Sequence, residues 1–136
     1  MKEKHIVFDF DGVLCKYEGW QGHDSIGEPI WDMIQLVRDL HSDGHKLKLS
    51  TTRLNPFPFG LDKPPDKLVM NGFVYNRIKT WLSLPPINIF ECFEEITGYK
   101  PFGEVYIDDR ALFFNGDMDE FEANLNHRLR EAIGEK

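Results

Sequence analysis

The sequence HIVFDFDG, residues 5–12, constrains the fold more than any other stretch of the chain. Its apolar run predicts a buried strand over residues 5–10, with two carboxylates, Asp9 and Asp11, where that strand ends. Side chains two residues apart on a strand point the same way, so these carboxylates repel each other. The fold must therefore bring a compensating positive charge to this end of the strand.

Strand-like and helix-like patterns alternate along the whole chain. Apolar residues at helical spacing predict three helices, over residues 29–43, 72–83 and about 118–133. Further strands are predicted over residues 46–50, 87–90 and 104–107. This alternation is typical of an α/β protein, and we expect a three-layer α/β/α Rossmannoid fold with a mainly parallel sheet and the first strand central. Ligands of such folds bind beyond the carboxyl ends of the strands.

Length and charge narrow the protein class. The 136 residues predict one domain, 1–136, with no separate cap domain. A net charge of -7 argues against nucleic acid and anionic membranes as partners, and no apolar stretch has the length of a signal peptide or a membrane span. We expect a cytoplasmic protein with two reduced cysteines, Cys15 and Cys92. Whether the chain forms a homo-oligomer is left open.

Polar residues follow each predicted strand. Ser50, Thr51, Thr52 and Arg53 follow the second strand, and the acidic pair Asp108 and Asp109 follows the last one. Lys100 lies shortly before that last strand. In a parallel sheet these groups converge on one edge, where several carboxylates cannot all ionise cheaply without a cation among them. Oxygen ligands at this density suit Mg²⁺, which predicts a magnesium site at the carboxyl edge.

Four segments in order resemble the motifs of the haloacid dehalogenase superfamily. FDFDGVL is similar to the first motif, hhhhDxDG, and KLKLSTTR to the second, a strand that ends in Ser or Thr. Lys100 matches the lysine of the third motif, and VYIDD matches the acidic pair of the fourth. The resemblance covers residues 5 to about 117 and extends to small capless members that are phosphatases. It implies a Mg²⁺-dependent phosphohydrolase that acts through an aspartyl-phosphate.

The resemblance also assigns roles to residues. Asp9 is the expected nucleophile and Asp11 the expected general acid and base. Thr51 is expected to hydrogen-bond a phosphoryl oxygen, and Lys100 to pair with Asp9 and with the phosphoryl group. Mg²⁺ would be held by Asp9, the backbone carbonyl of Asp11 and Asp108, with Asp109 contacting the ion directly or through water. The expected substrate contacts are Gly12, Thr52 and Arg53.

Several of these assignments have rivals in the sequence. Ser50 competes with Thr51 for the role of second-motif hydroxyl. Arg53 either contacts substrate or caps the following turn. Lys100 competes with Lys63, Lys67 and Lys79, and its place before the acidic strand favours it. The acidic pair Asp108 and Asp109, taken alone, is equally compatible with a solvated turn before a helix.

The expected substrate is a small phosphorylated molecule. The irregular stretch 54–67 carries Phe57 and Phe59 among prolines, so it could offer a stiff apolar wall to a sugar or a base. A capless site is open, so a macromolecular phosphoester is an alternative substrate. A signalling module, or another non-catalytic Mg²⁺-binding protein on the same scaffold, is the alternative to an enzyme.

Overall fold

The computed structural model describes residues 2–22, 24–55 and 67–132. The strands are β1 (His5–Phe8), β2 (Lys46–Ser50), β3 (Phe93–Thr97) and β4 (Val105–Ile107). The helices are α1 (Trp31–Ser42), α2 (Lys67–Ser83) and α3 (Met118–Ala132), with short 3₁₀ turns at Thr52–Leu54 and Phe90–Cys92. The predicted α/β class is confirmed, and the arrangement is compatible with a Rossmann-like three-layer fold.

All four strands pair in parallel, in the order β3-β2-β1-β4. The first strand is central, as predicted, with β2 on one side and β4 on the other. Phe8 lies opposite Leu49 of β2 and Ile107 of β4. The chain moves from β1 to β2 to β3 in one direction and then crosses to the far side of β1. The direction therefore reverses between β1 and β4, and a crevice opens at such a switch point in parallel sheets.

One face of the sheet carries the hydrophobic core. The crossovers β1–α1–β2 and β2–α2–β3 run in the same direction, so right-handed connections put both helices on this face. Residues of β1 and β2 form one buried cluster with residues of both helices. Its central members are Ile6, Phe8, Leu47, Leu49, Ile34, Val37, Val74, Ile78 and Leu82. The contacts between this face of the sheet and the two helices are therefore apolar.

The opposite face of the sheet is polar, and the β3–β4 connection, residues 98–104, crosses it. Two β2 side chains hold this connection: Ser50 Oγ donates to the Tyr99 carbonyl at 2.7 Å, and Lys48 Nζ donates to the Phe102 carbonyl at 2.9 Å. Gly103 lies against Val7, since a Cβ at this position would come within 2.6 Å of Val7 Cγ2. The connection is therefore fixed to the sheet by hydrogen bonds and by one close contact.

The prediction of a strand over residues 87–90 is wrong. Ile87 and Ile89 are buried, which explains the apolar pattern, but Asn88 between them has a φ of 47°. That left-handed conformation breaks an extended strand. The third strand lies further on, at Phe93–Thr97, where two exposed glutamates interrupt the apolar pattern of an edge strand. The predicted loop 54–67 falls largely on residues 56–66, which lie outside the described residues.

The other helix and strand predictions agree with the structure, apart from element ends. The second helix begins at Lys67 rather than at residue 72, and the first strand ends at Phe8 rather than at residue 10. In the described part of the chain, no helix combines the length and the apolar character needed to cross a membrane.

Candidate functional site

Three carboxylates meet at the switch point between β1 and β4. The Asp9 N–H donates to the Ile107 carbonyl at 2.9 Å, which continues the β1–β4 ladder and brings Asp9 beside Asp108. Asp9, Asp108 and Asp109 each offer one carboxylate oxygen, and these three atoms lie within 4.8 Å of one another. The predicted convergence at the carboxyl edge is therefore present. Oxygen atoms at this spacing could hold a hard divalent cation.

The electrostatics of Asp9 agree with that reading. The pKa of Asp9 is raised from 3.8 to about 7, mainly by burial and in addition by the nearby Asp108, Asp109 and Asp11 carboxylates. The Phe10 N–H donates to Asp9 Oδ1 at 2.8 Å and opposes the pKa shift in part. The folded chain thus disfavours a charged Asp9 as long as no cation offsets its neighbours. A divalent ion between the three carboxylates would remove that penalty.

Gly12 packs against the carboxylate cluster at Asp109. Its φ is 84°, a conformation that side chains rarely adopt, and a Cβ here would overlap Asp109 Oδ2 and come within 2.6 Å of Asp109 Cγ. The Asp109 carboxylate therefore packs directly on the Gly12 backbone. The Gly12 N–H donates to the Cys15 carbonyl at 2.8 Å. The described contacts of Gly12 give it a packing role, and its role as a substrate contact stays a prediction.

Asp11 and Arg53 form a bidentate ion pair. Arg53 Nε donates to Asp11 Oδ2 at 2.7 Å, and Nη2 donates to Oδ1 at 2.8 Å. Both side chains are largely buried, with 4% of the Arg53 side chain and 18% of the Asp11 side chain exposed. The sequence predicted substrate contact or turn capping for Arg53, and it did not predict this ion pair.

Cys15 completes the surroundings of Asp11. Its sulfur lies 3.7 Å from Asp11 Oδ1, and burial raises the pKa of the thiol to about 12. A thiol so hard to ionise is not a candidate nucleophile. Both Cys15 and Cys92 are free thiols.

The hydroxyls after β2 divide between the core and an open cleft. Thr51 is 2% exposed, and its Oγ1 accepts a hydrogen bond from the Arg53 N–H at 3.2 Å. Ser50 and Thr52 line the cleft, while Thr51 is not among the described lining residues. Ser50 is already bound to the Tyr99 carbonyl. The geometry leaves the choice between Ser50 and Thr51 open, and it adds Thr52 as a hydroxyl at the cleft.

Lys100 lies on the crossing connection and also lines the cleft. Its ammonium sits over the Tyr106 ring, 4.8 Å from the ring centroid. Among the described residues, none of the ion pairs within 4 Å involves Lys100, so its expected pairing with Asp9 is not present in this structure. The side chain is exposed and stands at the cleft that Asp9 also lines.

The cleft has a volume of about 1210 Å³ and runs along the polar face of the sheet, beside the carboxylate cluster. The cleft is lined by aromatic side chains that were not predicted from the sequence as site residues: Tyr17, Trp20, Tyr99, Tyr106 and Phe113. Arg110 is a further lining cation, and its central guanidinium carbon lies 5.2 Å from the centroid of the Tyr17 ring. These aromatic residues lie on irregular segments or an edge strand, where sequence periodicity gives no signal.

Comparisons with known proteins add little to this geometry. No family model matches the chain, and a search of curated proteins finds no significant match. Among solved structures, a conserved protein from Bacteroides thetaiotaomicron is 18% identical, with a TM-score of 0.44 and coverage of 99% of this chain and 100% of that one. Similarity at this level transfers neither an activity nor a site.

Proposed function

We propose that this chain is a Mg²⁺-dependent phosphomonoester hydrolase of the haloacid dehalogenase superfamily. The observation that carries the proposal is the convergence of Asp9, Asp108 and Asp109 at the switch point of a parallel sheet. The motif resemblance assigns these same residues to the nucleophile and the metal ligands. An independent structural feature therefore supports the order of motifs read from the sequence.

The donor set fits magnesium. The carboxylates of Asp9, Asp108 and Asp109, with the backbone carbonyl of Asp11, would hold the ion. All of these ligands are hard oxygens, and the described groups within reach of one another at this point include no thiol or imidazole. When bound, the ion would neutralise charge on the transferring phosphoryl group.

The chain's own residues would carry out two transfers. An Asp9 carboxylate oxygen attacks phosphorus, and the bond from phosphorus to the leaving oxygen breaks with its electron pair on that oxygen. Asp11, as the carboxylic acid, gives its proton to the leaving oxygen. Asp11, now a carboxylate, then takes a proton from the water that attacks phosphorus, the phosphorus bond to Asp9 breaks, and inorganic phosphate leaves. Lys100 and the cleft hydroxyls stand where they could contact phosphoryl oxygens.

The proposed substrate is a small phosphomonoester with an apolar or aromatic portion. The net charge of -7 disfavours binding of long polyanions. A cleft of about 1210 Å³ is large enough to hold a metabolite-sized ligand. Tyr99 and Phe113 are 71% and 83% exposed there, so their ring faces are accessible to a ligand. A macromolecular phosphoester is the alternative substrate, and oligonucleotides and phosphopeptides test for it.

The test is hydrolysis of 4-nitrophenyl phosphate with and without Mg²⁺, followed by a panel of phosphorylated metabolites, oligonucleotides and phosphopeptides. Activity should require the metal. Asp9→Asn should lower turnover by roughly four orders of magnitude or more and abolish the acid-stable phosphoprotein, because an amide is not a competent nucleophile. Asp11→Asn should also slow turnover severely, yet let the phosphorylated intermediate accumulate with this good leaving group.

The matched control is Asp43→Asn, which removes an exposed carboxyl at the C-terminal end of α1. That variant should retain wild-type turnover. Near-normal activity of Asp9→Asn would rule out the covalent mechanism. Mg²⁺ binding without hydrolysis of any panel member would favour the non-catalytic alternative, and preferred hydrolysis of a macromolecular phosphoester would overturn the small-molecule assignment.

A further inference from the structure

The guanidinium of Arg53 is held by several contacts within the chain. Its guanidinium holds both carboxylate oxygens of Asp11, and Nη2 also donates to the Ser25 carbonyl at 2.8 Å. The central guanidinium carbon lies 5.6 Å from the centroid of the Phe10 ring and 5.1 Å from that of the Trp20 ring. Arg53 thus joins Asp11, beyond the end of β1, to the segment that carries Trp20 and Ser25.

We propose that Arg53 is a positioning residue that fixes the Asp11 carboxylate for proton transfer, and that it does not bind the phosphoryl group. The inference rests on the proposed function, in which Asp11 first gives a proton to the leaving oxygen and later takes one from water. The sequence left Arg53 open between substrate contact and capping of the following turn, and positioning of Asp11 is a third role.

The Asp11 side chain needs such support, because hydrogen bonds hold the backbone around it but do not fix the direction of its carboxylate. Asp11 precedes Gly12, whose φ is 84°, and it lies beyond the end of β1. Its other described side-chain partner is the Cys15 thiol at 3.7 Å, a weak donor. A planar fork with two parallel N–H···O bonds fixes the carboxylate in both direction and rotation. Since a displacement of about 1 Å can cost roughly 100-fold in rate, that restraint bears directly on catalysis.

Burial argues against phosphoryl binding by Arg53. Only 4% of its side chain is exposed, and three of its described hydrogen bonds go to Asp11 and to the Ser25 carbonyl. To reach a phosphoryl group, the guanidinium would have to leave a largely buried carboxylate without a partner, which is strongly unfavourable. Lys100 and Arg110 line the same cleft and are exposed, so they are better placed to meet the anion.

The leaving group of the substrate separates the two roles. A 4-nitrophenolate leaves without needing a proton, whereas an alkoxide needs one. Arg53→Lys keeps the positive charge and loses the planar fork. We expect kcat/KM for an alkyl phosphate to fall by about 100-fold, and for 4-nitrophenyl phosphate by less than about 10-fold, because general acid catalysis contributes roughly 10²- to 10⁴-fold. The double variant Arg53→Lys with Asp11→Asn should then be no slower than Asp11→Asn alone.

Arg77→Lys is the matched control. Arg77 Nη2 donates to the Asp24 carbonyl at 2.7 Å, so it holds the residue next to Ser25 and has no described contact with Asp11. This variant should leave the ratio of the two kcat/KM values at the wild-type level. Folding of every variant is checked by circular dichroism and by the unfolding midpoint, and Arg53→Met replaces Arg53→Lys if the lysine variant does not fold.

The outcomes are distinct. Equal losses of kcat/KM on both substrates would show that Arg53 binds the phosphoryl group and would overturn the inference while the proposed function stands. A leaving-group effect in Arg77→Lys as large as that in Arg53→Lys would show that the effect arises from loosening the segment at Asp24 and Ser25. That result would also overturn the inference. A wild-type protein that hydrolyses neither substrate with Mg²⁺ would refute the proposed function, and the inference with it.

Discussion

The two faces of the sheet are built on different principles. On the core face, Phe8 and Leu49 are fully buried against α1 and α2, and the contacts are apolar. On the cleft face, Lys48, Ser50 and Tyr106 project from the neighbouring strands, and an irregular connection crosses them. The same strands supply both faces because successive side chains alternate.

This difference separates stability from chemistry. Burial of apolar area dominates folding free energy, so the core face should carry most of the stability. The cleft face contributes fewer buried apolar groups, and it holds the backbone in place through specific hydrogen bonds to the Tyr99 and Phe102 carbonyls. A substitution should therefore affect mainly stability on one face and mainly the site on the other.

The largest expected effect comes from the core face. Phe8→Ala should destabilise the chain by about 3–5 kcal/mol, since it removes a fully buried ring that packs edge-on against Phe93. Tyr106→Ala, an aromatic truncation at the cleft on the adjacent strand, should cost only about 1 kcal/mol. Urea unfolding measures both free energies. Equal losses would show that the two faces contribute alike.

The next effect tests the close packing beneath the carboxylate cluster. Gly12→Ala should weaken Mg²⁺ binding by roughly 10- to 100-fold, because the added Cβ displaces the Asp109 carboxylate. Gly44→Ala is the matched control, since Gly44 has a φ of 92° and nothing within 4 Å of its would-be Cβ. Both variants should lose about 1–2 kcal/mol of stability to backbone strain. Titration calorimetry with Mg²⁺ should find weaker binding in Gly12→Ala alone, and an equal loss in the control would contradict the packing role.

The sequence predicted the features that depend on local pattern. Apolar runs followed by acids predicted the end of β4 and, to within two residues, the end of β1. Parallel pairing then sufficed to bring Asp9 and Asp108 together. The alternation in KLKLS already places Lys48 and Ser50 on one face of β2. The pattern of β2 does not predict the partners of these two side chains, because the Phe102 and Tyr99 carbonyls are distant in the sequence.

The features that the sequence missed depend on long-range partners. Arg53 and Asp11 are 42 residues apart, and nothing in either local pattern specifies their pairing. The third strand was missed because an edge strand with Glu94 and Glu95 lacks an apolar run, while buried Ile87 and Ile89 imitate one in an irregular segment. Burial and strand pairing are separate properties, and an apolar pattern reports only burial.

A smaller effect is expected from the side chains that hold the crossing connection. Lys48→Met keeps most of the apolar stem and removes the hydrogen bond to the Phe102 carbonyl and the 3.8 Å ion pair with Glu94. We expect a stability loss of about 1–2 kcal/mol, because Lys48 is buried and its partners lose a donor. Under the proposed function, kcat/KM should also fall, since Lys100 lies on this connection.

Lys46→Met is the control for Lys48→Met. Lys46 lies two residues earlier on the same face of β2, but it is exposed and pairs with Glu3 at 3.7 Å on the surface. Removal of an exposed pair should cost no more than about 1 kcal/mol and leave kcat/KM unchanged. If Lys48→Met resembles this control in urea unfolding and in kinetics, the connection is not held through Lys48.

The last effect concerns the pH dependence of the metal-free protein. The pKa of Asp9 is raised from 3.8 to about 7 in the folded chain, so the folded state binds this proton more tightly than the unfolded state. Its contribution to stability is fully present below the unfolded pKa, and it is lost as the pH rises through the folded pKa. With a chelator present, Asp9→Asn should therefore raise the unfolding midpoint at pH 8, and the gain should shrink towards pH 4. Asp43→Asn controls for the removal of an exposed carboxyl.

Added Mg²⁺ should raise the unfolding midpoint of the wild type at pH 8 above that of Asp9→Asn, because the ion offsets the repulsion among the ionised carboxylates. A midpoint difference that does not change with pH would contradict the burial and repulsion inferred at Asp9.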